Sequence, residues 1–337
     1  MDKPNLFEIA TKELSQDGFF TWLIDWAHPD CAQYNLELHK AGQGFVRLLL
    51  DQPDDFEITD VQSCRQHLNI DVWVKVNHDT VIVIEDKTGS GQHSDQLARY
   101  REDAQDDSPD CKVVCVYLKT GNESRASLKS VTSQGYRVID RQGLLAFFGK
   151  HTAQSDIYND FMDKWTAFDD CVKRYRTLPI GKWGNEQLEG FYQMLEERLG
   201  DTVGYWGYVS TPSGGFMGFG WHWLAWKEKF SAYLQLEDGK LCFKMEAEPD
   251  ESYDEVKDAQ IALYAALEHT AETEGRKEIQ RPSRLRVGTW MTCGIIQRED
   301  WMGADTDILD EEKVVATLKE YETFFDRCVT QDSPTPA

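Results

Sequence analysis

The 337-residue sequence predicts an α/β protein in its first half, followed by a C-terminal α+β domain. Helical and strand patterns alternate along the first 150 residues, as they do where helices pack on a sheet. After Pro- and Gly-containing residues at about 176–185, the pattern becomes rich in strands. We therefore predict one domain at 1–176, a second at 185–330 and a disordered tail at 331–337.

The first domain begins with helically spaced apolar residues from 5 to about 27, interrupted at 15–18, which predicts one kinked helix or two short ones. Another amphipathic helix is predicted at about 41–50. Two β-branched runs, 68–76 and 80–84, are joined by turn-forming residues and predict a β-hairpin. The remaining elements of this domain are predicted as a helix at 93–107, strands at 112–118 and 136–139, and helices at 141–150 and 157–174.

The second domain is predicted to begin with a helix at 186–199 and to continue mainly as strands. The later elements are predicted as strands at 205–210, 216–223, 230–236 and 240–247, a helix at 253–272, a strand at 285–295 and a helix at 311–328. Several tryptophans lie in these strands, and Trp221 and Trp223 are examples. Such residues can stack on nucleic-acid bases, but aromatic residues are strong strand formers, so we interpret the set as sheet core.

The formal charge of −23 excludes a protein that coats nucleic acid by bulk electrostatics, because that requires clustered Lys and Arg. It does not exclude a nucleic-acid enzyme, since carboxylates that hold a divalent cation add to the negative total. No apolar run approaches the roughly 20 residues that a membrane helix needs, and the first residues do not resemble a signal peptide. We expect a cytoplasmic protein without a membrane partner, and its eight scattered cysteines indicate reduced thiols.

The sequence predicts a metal-binding catalytic site at the hairpin. Alternate side chains of a strand share a face, so Glu85 and Lys87 point one way and Asp86 the other. Pairing across the turn brings Asp71 roughly opposite Glu85. Two converging carboxylates repel unless a cation or a shared proton intervenes, and Mg²⁺ or Mn²⁺ is the natural occupant. Lys87 would orient or deprotonate the attacking water, or stabilise the charge of the transition state.

Asp71, then Glu85-x-Lys87, then a helix with Gln96 and Tyr100, resembles the restriction-endonuclease-like PD-(D/E)xK nuclease superfamily. The opening residues, which include Glu13, resemble one bacterial branch of it. The resemblance spans about residues 5–150, and one departure is Ile70 where the motif has proline.

The resemblance implies a mixed β-sheet core flanked by helices. It also implies that Asp71 and Glu85 bind the metal and that Lys87 assists catalysis. Glu13 matches an acid that some branches add to the metal shell, and Gln96 matches a position that contacts substrate or steadies the site. Glu13 and Asp17 share a helix face, and a charge or cap near a helix start explains these two acids as well as metal binding does. We leave Asp17 out of the predicted site.

The sequence thus predicts an Mg²⁺- or Mn²⁺-dependent deoxyribonuclease, and the resemblance makes defence against foreign DNA a plausible context. Tyr100, Lys173, Arg174 and Arg176 are candidate substrate-binding residues, although a solvated polar or basic face explains them as well. For the central trio the competing interpretation is a surface salt bridge at a strand end. A non-cleaving nucleic-acid-binding or regulatory module, or a toxin or defence effector activated by a partner protein, remains an alternative. The sequence does not decide whether the substrate is DNA or RNA. It also leaves open whether the protein forms a homo-oligomer or binds a protein partner.

Overall fold

The structure is a computed structural model that describes residues 3–89, 96–211 and 214–331. The chain forms two compact units, Met1–Cys171 and Val172–Ala337. The division lies five residues before the predicted end of the first domain at 176. The reason is that Tyr175 packs in the hydrophobic core of the second unit, where its ring meets that of Phe191. Residues 332–337 of the predicted tail lie outside the described part of the chain.

The first unit contains a five-stranded mixed sheet. Its strands are β1 Val61–His67, β2 Ile70–Val76, β3 Thr80–Lys87, β4 Lys112–Lys119 and β5 Tyr136–Asp140, and they lie in the order β1-β2-β3-β4-β5. The pairs β1–β2 and β2–β3 are antiparallel, whereas β3–β4 and β4–β5 are parallel. The turn between β2 and β3 has positive φ at Asn77 and His78, as tight hairpins require. The predicted mixed sheet is confirmed.

Helices cover both faces of this sheet. They are α1 Leu6–Ile9, α2 Glu13–Asp25, α3 Leu36–Leu50, α4 Gln96–Asp107, α5 Arg125–Ser133, α6 Arg141–Lys150 and α7 Asp156–Lys173, with a short 3-10 helix at Pro29–Gln33. Helices α2, α3, α6 and α7 share one core with strand residues such as Ile84 and Leu118. Helices α4 and α5 pack on the other face, against residues such as Val83 and Tyr117. Several of these helices begin at a polar cap; Asn35, for example, accepts hydrogen bonds from the backbone of α3.

The structure corrects several details of the predicted elements. The break in the first helical segment falls at residues 10–12, between α1 and α2, and not at 15–18. Strand β1 and helix α5 were not predicted. Strand β1 lies at the sheet edge and carries mostly polar residues, so it lacks the apolar alternation that marks a half-buried strand. Helix α5 buries only Val131 fully, which leaves little periodic signal. Of the predicted helix at 93–107, residues 93–95 are outside the described residues.

The second unit contains an antiparallel sheet. Its strands are β6 Val203–Thr211, β7 Gly214–Trp226, β8 Phe230–Glu237, β9 Lys240–Glu246 and β10 Trp290–Ile296, in the order β10-β9-β8-β7-β6. Its helices are α8 Asn185–Leu199, α9 Tyr253–Glu274, α10 Arg298–Trp301 and α11 Glu311–Gln331, with 3-10 turns at Arg174–Arg176, Ile180–Lys182 and Gly200–Thr202. The α+β class predicted for this part is confirmed. The last strand begins at Trp290, five residues later than predicted, and residues 285–289 form no strand.

Most aromatic residues of the second unit are core, as interpreted from the sequence. Trp206, Phe219, Trp221 and Trp226 are buried beneath the helices. Trp223, by contrast, stacks on Tyr233 with ring centroids 4.9 Å apart and is exposed.

The eight cysteines are free thiols. Among the residues that the structure describes, no helix is both long enough and apolar enough to cross a bilayer.

Helix α2 carries a matched pair of leucines that tests the core. Leu23 is fully buried against the sheet, whereas Leu14 is 55% exposed. We expect Leu23→Ala to lower the free energy of unfolding by about 2–5 kcal/mol, because it removes buried methyl groups and leaves a cavity. Leu14→Ala should change it by about 0.5 kcal/mol or less. Urea unfolding followed by circular dichroism measures both, and equal effects would contradict the described packing of α2.

Candidate active site

The predicted site residues meet where strand β3 ends. Glu85, Asp86 and Lys87 are all buried there, at 1%, 0% and 7% exposure. The antiparallel register that pairs Val72 with Ile84 places Asp71 directly across from Glu85. Opposite residues of an antiparallel pair share a face, so both carboxylates and Lys87 lie on the same side of the sheet. A cluster this deeply buried is not the exposed salt bridge of the competing interpretation.

The Lys87 ammonium is surrounded by oxygen atoms. It forms an ion pair with Glu85 Oε1, lies 3.5 Å from Asp71 Oδ2 and donates to the main-chain oxygen of Asp86 at 3.2 Å. Asp71 Oδ2 also accepts a hydrogen bond of 3.0 Å from the Asp86 amide. The carboxylates of Asp71 and Glu85 and the main-chain carbonyl of Asp86 therefore all point toward the Lys87 ammonium at the strand end.

Helix α4 supplies the predicted glutamine. Gln96 Nε2 donates to Glu85 Oε1 at 3.1 Å and to the hydroxyl of Tyr100 at 2.8 Å. Gln96 and Tyr100 are one helical turn apart, which is why their side chains meet. Tyr100 is buried and holds Gln96, so the helix position predicted to steady the site does contact it.

Helix α2 approaches from the N-terminal side of the chain. Glu13 Oε1 accepts a hydrogen bond of 2.8 Å from the amide of Thr88, the first residue after β3. The negative charge of Glu13 is also felt by Lys87, although Glu85 and Asp71 affect it more. Glu13 is thus placed beside the predicted site.

Burial governs the electrostatics of the cluster. Burial first, and then the neighbouring charge of Asp71, raises the pKa of Glu85 to about 7. Burial by itself would lower the pKa of Lys87, but Glu85 and Asp71 outweigh it and hold that pKa above its ordinary value. The cluster carries more negative than positive groups, so it has room for a further positive charge.

Sequence reasoning missed Asp17, which is almost fully buried beside Asp86. Burial and the charge of Asp71 raise the pKa of Asp17 to about 7. The spacing of four residues between Glu13 and Asp17 was a usable signal, because it already placed both acids on one helix face. Gln16 was also missed. It contacts Asp86 from the opposite side of the sheet, where an apolar residue would be expected.

The predicted substrate-binding residues near the end of the first domain belong to the second compact unit, which begins at Val172. Arg176 pairs with Glu311 at 2.8 Å, and its guanidinium lies over the ring of Tyr175. Contact with substrate stays a prediction for Lys173, Arg174 and Arg176.

The donor atoms fit a hard divalent cation. Carboxylate and carbonyl oxygens are the ligands that Mg²⁺ prefers, and this ion is usually held by one or two carboxylates so that water and phosphate complete its shell. Within the described residues, buried Oε2 of Glu85 has no hydrogen-bond partner. The same residues contain no group of three His, Cys, Asp or Glu side chains arranged to hold a metal. The fitting set is therefore Asp71, Glu85 and the main-chain oxygen of Asp86.

Comparison with known proteins agrees with this geometry. The model of the PD-(D/E)XK nuclease superfamily matches residues 4–179, which is more than half of the chain. The chain therefore belongs to the PD-(D/E)XK nuclease superfamily, and this membership indicates nuclease activity on nucleic acid. Nucleases of this superfamily generally use divalent metals.

No curated protein matches the chain. A solved structure, the N-terminal domain of FACT complex subunit SPT16 from Cicer arietinum (chickpea), is 11% identical over 76% of this chain and 74% of that chain. Its TM-score of 0.10 is too low for any argument.

Removing one carboxylate from the cluster should stabilise the metal-free protein. Asp71 faces Glu85 and Asp17, and its charge disfavours the ionised form of both. We expect Asp71→Asn to raise the midpoint of thermal unfolding in EDTA, because the amide oxygen can still accept from the Asp86 backbone while the repulsion is lost. Asp106→Asn, at an exposed position of α4, is the control and should leave the midpoint unchanged. A lower midpoint for Asp71→Asn would show that Asp71 stabilises the cluster as it stands.

Proposed function

We propose that this protein is a divalent-metal-dependent nuclease that hydrolyses phosphodiester bonds of DNA at the end of strand β3. The observation that supports this most is the convergence of Asp71, Glu85 and the Asp86 carbonyl on the Lys87 ammonium, in a cluster with more negative than positive groups. A buried excess of negative charge costs stability unless a cation or a proton is present. Superfamily membership supports the reaction class.

Each residue of the cluster has a role that follows from its contacts. Asp71, Glu85 and the Asp86 main-chain oxygen would hold Mg²⁺ or Mn²⁺. The ion, when bound, supplies Lewis-acid catalysis, which makes an attacking water more acidic and offsets negative charge on the phosphate. Lys87 is paired with Glu85 as an ammonium, so we assign it to orienting water and stabilising negative charge as a hydrogen-bond donor. The alternative role predicted from the sequence, in which Lys87 deprotonates the attacking water, requires a neutral amine.

The flanking helices hold these groups in place. Gln96 fixes the Glu85 carboxylate by donating to Oε1, and Tyr100 in turn accepts from Gln96. We therefore assign Tyr100 to supporting Gln96, although its contact with substrate stays a prediction. Glu13 ties Thr88 to α2. Its direct binding to the metal stays a prediction as well.

The choice of DNA and a role in defence against foreign DNA are parts of this proposal that rest on the resemblance of the opening residues and the site motif. A cytoplasmic location stays a prediction. Cleavage assays with different nucleic acids test the choice of DNA, and removal of divalent ions tests the metal site.

Lys87→Met should lower the cleavage rate of plasmid and linear DNA in Mg²⁺ by about 10²-fold or more, because a preorganised donor to the reacting phosphate is lost. Lys112→Met is a matched control. Lys112 is exposed at the first residue of β4, beside the start of β3 and roughly 23 Å along the strand from Lys87. The control should cleave at the wild-type rate. Undiminished cleavage by Lys87→Met would overturn the assignment.

Removal of divalent ions should abolish cleavage, and Mg²⁺ or Mn²⁺ should restore it, because the carboxylates alone repel a phosphate. Parallel assays with double-stranded DNA, single-stranded DNA and RNA identify the substrate. Cleavage that persists in EDTA would contradict metal dependence. Cleavage of RNA alone would retain the site and exclude DNA, and binding of nucleic acid without cleavage of any of them would favour the non-cleaving module.

A further inference from the structure

The residue between the two motif positions, Asp86, faces two environments at once. Its main chain belongs to the active site, since the amide donates to Asp71 Oδ2 at 3.0 Å and the carbonyl accepts from Lys87 at 3.2 Å. Its side chain points to the opposite face of the sheet, as strand parity requires, and is fully buried there. The position of the carbonyl in the site therefore depends on how the side chain is held behind it.

Gln16 of helix α2 donates to that side chain, and the neighbouring Asp17 also contacts it. Gln16 Nε2 lies 2.6 Å and 2.7 Å from the two carboxylate oxygens of Asp86 and 3.1 Å from Thr120 Oγ1. Thr120 follows β4, and its amide donates to the Lys87 carbonyl at 3.2 Å. Gly121 comes next, and its main chain lies so close to the Thr88 carbonyl that a Cβ at this position would clash. One amide group thus links α2, the end of β3 and the end of β4.

Packing alone does not explain a glutamine at this position. Gln16 is 5% exposed, and its neighbours on α2, Phe19, Phe20 and Leu23, already supply the apolar contacts of the helix. A buried amide paired with a buried carboxylate adds little net stability compared with two apolar groups of the same shape. What the pair does provide is a fixed direction for the Asp86 peptide.

We propose that Gln16 is a positioning residue, which clamps the Asp86 side chain and thereby holds the Asp86 carbonyl in the direction required for a divalent ion. This inference rests on the proposed metal-dependent function. Residues that orient metal ligands from behind commonly change metal affinity by about 10-fold to 100-fold when they are replaced. Gln16 would do so without touching the ion, the substrate or the side chains of Asp71 and Glu85.

The test is a set of variants titrated with Mn²⁺ in a calorimeter, with thermal unfolding measured alongside. Gln16→Met keeps the length of the side chain and removes its hydrogen bonds. We expect it to weaken Mn²⁺ binding by about 10-fold to 100-fold and to lower the unfolding midpoint, because it removes the amide donor to the buried carboxyl group of Asp86. Gln16→Asn keeps the amide but shortens the side chain, and is expected to change Mn²⁺ affinity in the same direction should Gln16→Met fail to fold.

A double variant separates positioning from stability. Gln16→Met combined with Asp86→Leu replaces both partners by apolar groups, so the unfolding midpoint should return toward that of the wild type. Mn²⁺ affinity should remain as weak as in the single variants, because the two substitutions act on the same clamp and are not additive. If affinity recovers together with the midpoint, Gln16 is merely structural and the inference is wrong.

Gln260→Met is the matched control, since Gln260 is another buried glutamine, lies in α9 of the second unit and donates to the Arg286 carbonyl. It should leave Mn²⁺ affinity unchanged. Equal Mn²⁺ binding by the wild type and Gln16→Met overturns this inference alone. A wild type that binds no Mn²⁺ overturns the proposed function and the inference together.

Discussion

The interaction on which the site depends is the buried contact between Lys87 and the carboxylates of Glu85 and Asp71. Ionised groups are costly to bury, and a lone carboxylate at the position of Glu85 would not remain charged. Lys87 compensates only part of the negative charge, because Asp17, Asp71 and Glu85 lie close to one another. The strand end therefore has an excess of negative charge, which a proton or a divalent cation would offset.

The mixed sheet is what makes this contact geometrically feasible. Antiparallel pairing of β2 with β3 brings Asp71 opposite Glu85, and parallel pairing of β3 with β4 places Thr120 beside the end of β3. Helix α4 then covers the face that carries Glu85, and helix α2 reaches the strand end with Gln16 and Glu13. Hydrogen bonds from two helices thus fix the direction of the reactive groups, which is the preorganisation that electrostatic catalysis requires.

Local sequence patterns predicted the central residues of the site, although the acidic composition alone did not. Strand parity separated Glu85 and Lys87 from Asp86, and turn residues at Asn77 and His78 set the register that brings Asp71 across. These are local properties, so they can be read from a single segment. Strand β1 and helix α5 could not be read in this way, because an exposed edge strand and a helix with little buried surface leave almost no apolar period.

By itself, the sequence predicted the α/β pattern of the first half and the α+β character of the second, and its resemblance to the nuclease superfamily added the mixed sheet. It also singled out Asp71, Glu85 and Lys87, which the structure brings together at the end of β3. Only the tertiary structure decided that Asp17 and Gln16 belong to the site, that Gln96 bonds to Glu85 and that the division into units falls before Tyr175. The physical reason is distance along the chain. Gln16 and Asp86 are 70 residues apart, and no local pattern specifies a hydrogen bond that forms only after helix and sheet have packed.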